Sequence, residues 1–300
     1  MRQPIERLKV QAWTLFLFTY TDYKTIFFPI TFFACAAAPV QHVILLLYSM
    51  VWIWLHQLHI DVSNQYRSVA EDSVNRPWRP LPSNRLTDQQ ARRLRYALPP
   101  LCLLFSIAGG QDVVLASTAL SIAFVLYDDF GLAGHWIGKN IMNCIGYLGF
   151  EYGATKIMAG SMMLRPEARR SLLMSSLIIL TTVHAQDFSD VEGDQAMGRI
   201  TLPLYAPLFS RFLVCIGVPM WSIILSLMWD ISPGKRILLI CFGIFVAWRF
   251  YNYKNASREA TSYVFYNIWL IAVHALPACN QQEVSQSDLN VRLLPRESRY

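Results

Sequence analysis

The sequence predicts an all-α protein, a polytopic membrane bundle of nine transmembrane helices. The chain has 300 residues, of which 54% are hydrophobic and only 15% are charged, whereas about a quarter of the residues in an ordinary soluble domain are charged. One globular core cannot bury so much apolar surface, so long apolar blocks are expected to face lipid. The net charge is +6, but the basic residues are scattered between apolar blocks. This scatter argues against a nucleic-acid partner, whose binding needs a basic stripe.

The predicted spans are the apolar blocks that remain when the sequence is cut at its charged residues. Several of these blocks are shorter than the ~20 residues that a lone spanning helix needs, so some helices must carry polar residues that face the bundle interior. Short turn-like joints separate them, such as Gly109-Gly110 and Pro233-Gly234. The nine spans lie near residues 25–39, 42–62, 96–110, 112–130, 137–158, 171–189, 203–228, 235–250 and 260–280.

Residues 1–300 are expected to form a single domain, because the sequence shows no internal repeat and no low-complexity linker. Residues 1–22 are an amphipathic N-terminal segment and residues 281–300 a polar C-terminal tail. If the basic N-terminal segment is cytosolic, the joints after the even-numbered spans are cytosolic too, and this side of the membrane then has 16 Lys and Arg residues against 9 on the other side. We therefore expect an integral, multi-pass protein of the lipid bilayer, in the endoplasmic reticulum, with these joints in the cytosol.

Two of these joints carry dense acidic and polar residues directly where an apolar span ends. After the second span, Asn64, Ser68 and Asp72 are spaced by four residues. A helix places such residues on one face, with their oxygen atoms one turn apart. The first joint therefore presents a row of oxygen ligands, which we call the first acidic row.

The joint after the sixth span has a similar pattern. Asp187, Asp190 and Asp194 stand at positions i, i+3 and i+7, again on one face of a helix. We call them the second acidic row. Since both joints follow even-numbered spans, the two rows are expected on the same side of the membrane.

Carboxylates so close to hydrocarbon repel one another and are costly to desolvate, so their presence implies a compensating cation. Oxygen ligands of this kind suit Mg²⁺, which is usually held by a few carboxylates together with substrate phosphate oxygens. Nearby basic residues suit the binding of a diphosphate, since they supply charge-assisted hydrogen bonds. The expected metal ligands are Asn64, Ser68, Asp72, Asp187, Asp190 and Asp194, and the expected diphosphate partners are Arg76, Arg79, Lys139 and Arg199.

Both rows resemble the motifs of the UbiA superfamily of intramembrane prenyltransferases. Its first motif is N-x-x-x-D-x-x-x-D followed by R-P-x-P; Asn64 and Asp72 match its outer positions, and residues 79–83 match its tail. Its second motif, D-x-x-x-D followed by G-x-x-T-L-P, matches Asp190, Asp194 and the sequence of residues 198–203. The resemblance spans nearly the whole chain. It implies a nine-helix membrane enzyme with Mg²⁺ as cofactor and an isoprenoid diphosphate as substrate, in which Asp72, Asp190 and Asp194 are catalytic.

Ser68 departs from the superfamily pattern, since the aromatic prenyltransferases have an Asp there that helps to hold Mg²⁺. Glu71 could compensate, although on a helix it points about 100° away from Asp72. With Ser68 at its centre, the first acidic row also resembles the Asn, Ser, acid triad of soluble class I terpene cyclases. Asp187-x-x-Asp190 resembles part of their aspartate-rich motif. The sequence also resembles a fungal branch of the superfamily that contains membrane sesquiterpene cyclases, in Asn64-Gln65, in Glu71-Asp72 and in residues 75–82. This resemblance implies Mg²⁺-dependent ionisation of farnesyl diphosphate, followed by intramolecular cyclisation.

Two other functions remain open. An aromatic prenyltransferase would use the same ionisation but move the prenyl group to an aromatic acceptor. An ion-coupled transporter would use intramembrane acids to bind its coupling ion, although internal repeats would then be expected. No obligatory protein partner is expected. Three residues at the end of the fourth span, Tyr127, Asp128 and Asp129, could belong to the site or be a helix-end polar cluster.

Overall fold

The computed structural model describes residues 2–38, 40–160 and 163–278. Within these ranges the secondary structure is helical, apart from one isolated β-bridge between His135 and Ile200, so the predicted all-α class is confirmed. The α-helices are α1 (Arg2–Thr19), α2 (Phe28–Ala37), α3 (Val43–Arg67), α4 (Val69–Asn75), α5 (Asp88–Ile107), α6 (Gln111–Asp128), α7 (Trp136–Ala159), α8 (Pro166–Thr182), α9 (Val191–Ala196), α10 (Leu202–Tyr205), α11 (Pro207–Met228), α12 (Pro233–Asn252) and α13 (Ala256–His274).

The sequence supplies recognisable signals where several of these helices begin. Helix α5 starts with a capping box, in which the Thr87 side chain accepts from the Gln90 backbone N–H and the Gln90 side chain accepts from the Thr87 N–H. The side chain of Asn255 caps α13 by accepting from the N–H of Arg258 at 2.9 Å. Helices α8, α11 and α12 each have proline at the first position, where its missing N–H costs nothing.

Most predicted spans correspond to one α-helix, although α5 begins eight residues before the third span and the seventh span is divided between α10 and α11. The first span is composite, because a π-helical turn over Tyr23–Phe27 precedes α2. The sixth is also composite, since α8 ends at Thr182 and a 3₁₀ helix continues over Val183–Asp190. The N-terminal segment contains α1, and the predicted tail at 281–300 lies outside the described residues.

Three helices in the described part of the chain, α3, α6 and α11, are long and apolar enough to cross a membrane by length and composition alone. The prediction of nine spans is therefore met only in part by this criterion. Large apolar side chains nevertheless cover the outside of the bundle; on α11, Leu208, Phe212 and Ile216 are all exposed. Many exposed large apolar side chains are typical of a surface that faces lipid.

The helices pack as two halves, each around its own apolar core. In the first half α2, α3, α6 and α7 meet around Trp52, Phe124 and Phe150. In the second half α8, α11, α12 and α13 meet around Trp221 and Trp269. Helix α7 joins the halves, because it packs on α2, α3 and α6 and also on α8, while α2 reaches α13.

Helices α3 and α7 approach closely where Gly153 faces Trp52. A Cβ atom at Gly153 would lie 2.4 Å from Cη2 of Trp52. The indole cannot move away easily, because its Nε1 donates to Ser106 Oγ at 2.8 Å. This contact therefore needs glycine for reasons of space.

We expect Gly153→Ala to lower the free energy of unfolding by about 1–3 kcal/mol, as overpacking in a close-packed core does. Gly146→Ala on the same helix is the matched control. No atom from outside the adjoining backbone of α7 lies within 4 Å of the added methyl group there, so the better helix propensity of alanine should leave the protein unchanged or more stable. Chemical unfolding in detergent, monitored by tryptophan fluorescence, measures the free energy of unfolding of both variants. Equal stability of the two variants would contradict the close approach of α3 and α7.

Candidate functional site

The first acidic row lies where α3 gives way to α4. The prediction of one unbroken helix through this row is wrong at Ser68, whose backbone leaves the helical region (φ −107°, ψ 22°). The hydrogen bonds from Ser68 N to Asn64 O (3.0 Å) and from Asp72 N to Ser68 O (2.9 Å) nevertheless bridge the break. The side chains remain aligned, with Ser68 Oγ 3.4 Å from Oδ2 of Asp72.

Asp72 is buried in an ion pair. Its side chain is 1% exposed, and Nη1 of Arg79 donates to both carboxylate oxygens at 2.8 and 2.9 Å. Arg79 also donates to Thr21 Oγ1 at 3.3 Å, while Arg76 lies 3.8 Å from the Asp72 carboxylate. The charge of Asp72 is therefore balanced by an arginine that the sequence assigned to the diphosphate.

The second acidic row is divided between the interior and the surface. Asp187 lies in the 3₁₀ helix and Asp194 in α9, and both are buried, whereas Asp190, at the end of the 3₁₀ helix, is exposed. The 3₁₀ helix turns by a different angle per residue than an α-helix, so the predicted single face is wrong in detail. Lys139, in the first turn of α7, reaches Asp187 at 2.6 Å and Asp194 at 3.8 Å.

One guanidinium joins the two rows. Nη1 of Arg199 lies 3.1 Å from Oδ1 of Asp194, and its Nη2 lies 3.4 Å from Oε2 of Glu71, the residue before Asp72. The two rows therefore lie at the same end of the bundle, close enough to share one arginine. The sequence offered little sign of this contact, because Glu71 is outside the expected row.

A short backbone bridge holds the segment that carries Arg199. Ile200 N donates to Gly134 O at 2.8 Å, and Trp136 N donates to Ile200 O at 2.7 Å. The bridge attaches this segment to the start of α7, three residues before Lys139. The basic and acidic groups of the second joint are thus fixed by one local structure.

A second carboxylate cluster supports the end of α3. Asp129 accepts hydrogen bonds from Arg67 and from Arg95, and Asn64 Nδ2 donates to Asp128 Oδ1 at 3.4 Å. The two arginines balance the charge of Asp129, whose side chain is partly exposed. The sequence left the role of Asp128 and Asp129 open. The structure places them against the first acidic row, and Arg95, on α5, lies outside both motifs.

The oxygen atoms of the site suit Mg²⁺ bound together with a phosphate. Among the described residues, no three His, Cys, Asp or Glu side chains are grouped closely enough to hold a metal ion by themselves. Mg²⁺ usually takes one or two protein carboxylates and completes its shell with water and substrate phosphate oxygens. Oδ2 of Asp187 and Oδ2 of Asp194 are buried without a hydrogen-bond partner, and the Asp190 carboxylate is exposed beside them. These donors fit a cation that binds with a diphosphate.

The chain is similar to known proteins over nearly its whole length. Residues 26–271 match the model of the UbiA prenyltransferase family. The chain is 30% identical over 275 residues to fumagillin beta-trans-bergamotene synthase of Aspergillus fumigatus, which covers 91% of this chain and 93% of that protein. It is 29% identical over 269 residues to a polyprenyl transferase of Hericium erinaceus. That alignment covers 84% of this chain and 88% of the transferase.

A solved structure has the same fold. The structure of a UbiA homolog from Archaeoglobus fulgidus bound to GPP and Mg²⁺ superposes with a TM-score of 0.63 at 12% sequence identity. The match covers 88% of this chain and 99% of that one. At this identity the likeness shows a common architecture.

We expect Asp72→Asn to lower the free energy of unfolding by about 3 kcal/mol or more, because it leaves the Arg79 guanidinium buried without its counter-charge. Asp190→Asn is the matched control in the other row. Its carboxylate is exposed, so stability should change by no more than about 0.5 kcal/mol. Chemical unfolding of both variants in detergent measures the difference. A stable Asp72→Asn protein would contradict the buried ion pair.

Proposed function

Since this chain belongs to the UbiA prenyltransferase family, whose members are integral membrane proteins, we propose that it is a membrane enzyme that ionises an isoprenoid diphosphate with the help of Mg²⁺. One observation carries the proposal. Two acidic segments, far apart in the sequence, meet beside basic side chains at one end of the bundle through the Glu71–Arg199–Asp194 contacts. Opposite charges arranged in this way suit a cation and a diphosphate bound side by side.

The residues of the two rows are the proposed metal ligands, and the nearby basic residues are the proposed diphosphate partners. Arg76 is partly exposed and 3.8 Å from the nearest carboxylate oxygen, so it can turn toward a phosphate at little cost. Lys139 and Arg79 are buried and hold their carboxylates in place. Bound Mg²⁺ would offset the charge that grows on the diphosphate as it leaves. The proposed ligands are Asn64, Ser68, Asp72, Asp187, Asp190 and Asp194, and the proposed diphosphate partners are Arg76, Arg79, Lys139 and Arg199.

The bundle interior suits the carbocation that ionisation creates. Such a cation must be kept from water, and aromatic faces stabilise it. Tyr147 on α7 and the stacked pair Tyr263 and Tyr266 on α13 lie in this interior. The hydroxyl of Tyr147 donates to Thr25 O at 2.5 Å, which fixes its ring.

We propose cyclisation of farnesyl diphosphate to a sesquiterpene, in terpenoid secondary metabolism, as the overall reaction. The alignment of Asn64, Ser68 and Asp72 across the helix break supports it, because this residue order resembles that of class I terpene cyclases. The similarity to beta-trans-bergamotene synthase supports it as well. A cyclase lets the distal double bond of the substrate attack the cation, so it needs no second substrate.

Transfer of the prenyl group to an aromatic acceptor is the alternative function. The similarity to a polyprenyl transferase favours it, over nearly the same part of the chain. Both reactions begin with the same ionisation, so the proposed roles of the two rows are the same in each. Family membership favours either enzyme over the ion-coupled transporter.

We also propose nine membrane spans in the endoplasmic reticulum membrane, with the two acidic rows on the cytosolic side. The meeting of the rows at one end of the bundle supports this arrangement, because it requires both joints to be on one side. The proposed spans are α2 with its preceding π-helical turn, α3, α5, α6, α7, α8, α11, α12 and α13.

Incubation of membranes that contain the protein with farnesyl diphosphate and Mg²⁺ should give a volatile hydrocarbon, measured by gas chromatography. A chelator should abolish the product, because the diphosphate would lose its counter-charge. Consumption that begins only when an aromatic acid is added would favour the transferase. If farnesyl, geranyl and geranylgeranyl diphosphate all persist with and without such an acceptor, the proposed function is wrong.

Asp190→Ala should lower the rate of diphosphate loss by about 100-fold or more, since it removes a carboxylate from the proposed charge-stabilising group. Because Asp190 is exposed, the protein should stay folded in the membrane. Asp88→Ala is the control: Asp88 is exposed in the first turn of α5 and lies outside both rows. Pyrophosphate release measures the two rates. Similar rates in both variants would remove Asp190 from the proposed metal site.

A further inference from the structure

Glu71 is a carboxylate that the motif pattern does not include. It lies in the first turn of α4, one residue before Asp72, and its side chain is 16% exposed. Oε2 of Glu71 lies 3.4 Å from Nη2 of Arg199, whose other terminal nitrogen lies 3.1 Å from Asp194. Glu71 is thus the residue through which the first joint contacts the second row.

The first joint has few charges without Glu71. Asn64 and Ser68 are neutral, and the charge of Asp72 is balanced by the bidentate contact with Arg79 at 2.8 and 2.9 Å. The acid expected at position 68 is absent. Glu71 restores a carboxylate to this joint, but directs it toward Arg199.

The contact between Glu71 and Arg199 affects Asp194, because Arg199 binds both carboxylates. A guanidinium presents its N–H groups in a rigid fork, so binding two carboxylates sets the distance between them. Without Glu71, both terminal nitrogens of Arg199 could bind Asp194 in a bidentate pair. Asp194 also has Lys139 at 3.8 Å. A bidentate pair would occupy Oδ2 of Asp194, which now has no hydrogen-bond partner, and would leave that carboxylate without a free oxygen for a divalent cation.

We propose that Glu71 is a positioning residue which, by holding one side of Arg199, keeps Asp194 available for a divalent cation and sets the spacing of the two acidic rows. This inference rests on the proposed function, because it concerns the proposed cation site. Glu71 then acts through Arg199 and does not itself bind the cation.

The test uses the full chain in detergent with Mn²⁺ as the probe, inorganic pyrophosphate as the partner and electron paramagnetic resonance to measure free Mn²⁺. Glu71→Gln should raise the dissociation constant for Mn²⁺ about fivefold, the effect of a partly exposed ion pair. In an Arg199→Gln background the same substitution should have no effect, because the group through which Glu71 acts is gone. The Mg²⁺ concentration for half-maximal diphosphate loss should change in parallel.

Glu167→Gln is the control, since Glu167 is an exposed carboxylate in the first turn of α8, distant from both rows in the fold. Thermal unfolding of Glu71→Gln and of Glu167→Gln should match that of the wild type. Unchanged Mn²⁺ affinity in Glu71→Gln would overturn the proposal. An equal loss of Mn²⁺ affinity on Glu71→Gln substitution in the wild-type and Arg199→Gln backgrounds would overturn it as well. A wild-type protein that binds Mn²⁺ and pyrophosphate but consumes no prenyl diphosphate would overturn the proposed function alone.

Discussion

The central constraint on this structure is that a carboxylate at the edge of a membrane needs a positive partner. Burying an unpaired charge costs several kcal/mol, roughly as much as the whole stability of many proteins. Each buried acid of the two rows accordingly has a cation within reach: Asp72 has Arg79, Asp187 has Lys139, and Asp194 has Arg199. These pairs determine how the helices that carry them must meet. The start of α7, for example, has to lie against the 3₁₀ helix that follows α8.

The same pairs connect stability with function. The arginines and the lysine that neutralise the acids are also the proposed partners of a diphosphate, so the groups that hold this end of the bundle together are those that would bind the substrate. Pairs that differ in exposure can divide these roles, so that a buried pair stabilises the fold and a more exposed one binds the substrate. The Asp72–Arg79 pair is buried and suits a structural role, while Arg76 and Arg199 are more exposed and can change partners more easily.

The sequence predicted the coarse features of the fold and the site, but several details depend on tertiary contacts. Composition and apolar blocks predicted the all-α class, and the spacing of Asn64 and Asp72 predicted their alignment. The break at Ser68 and the exposure of Asp190 could not be predicted, because an i, i+4 pattern assumes an unbroken α-helix. The contact of Glu71 with Arg199 and that of Arg95 with Asp129 join residues far apart in the chain. Spacing within one segment carries no information about such pairs.

For the proposed enzyme, the choice between cyclisation and transfer is expected to depend on the bundle interior next to the acidic rows. Two relatives with these different names match this chain at 30% and 29% identity over most of its length. A framework common to both cannot by itself encode the difference, and ionisation is the first step of either reaction. The outcome then depends on whether the cation meets its own distal double bond or a second molecule, which is a matter of interior shape. The side chains of α7 and α13, where Tyr147, Tyr263 and Tyr266 lie, are therefore the ones in which specificity should reside.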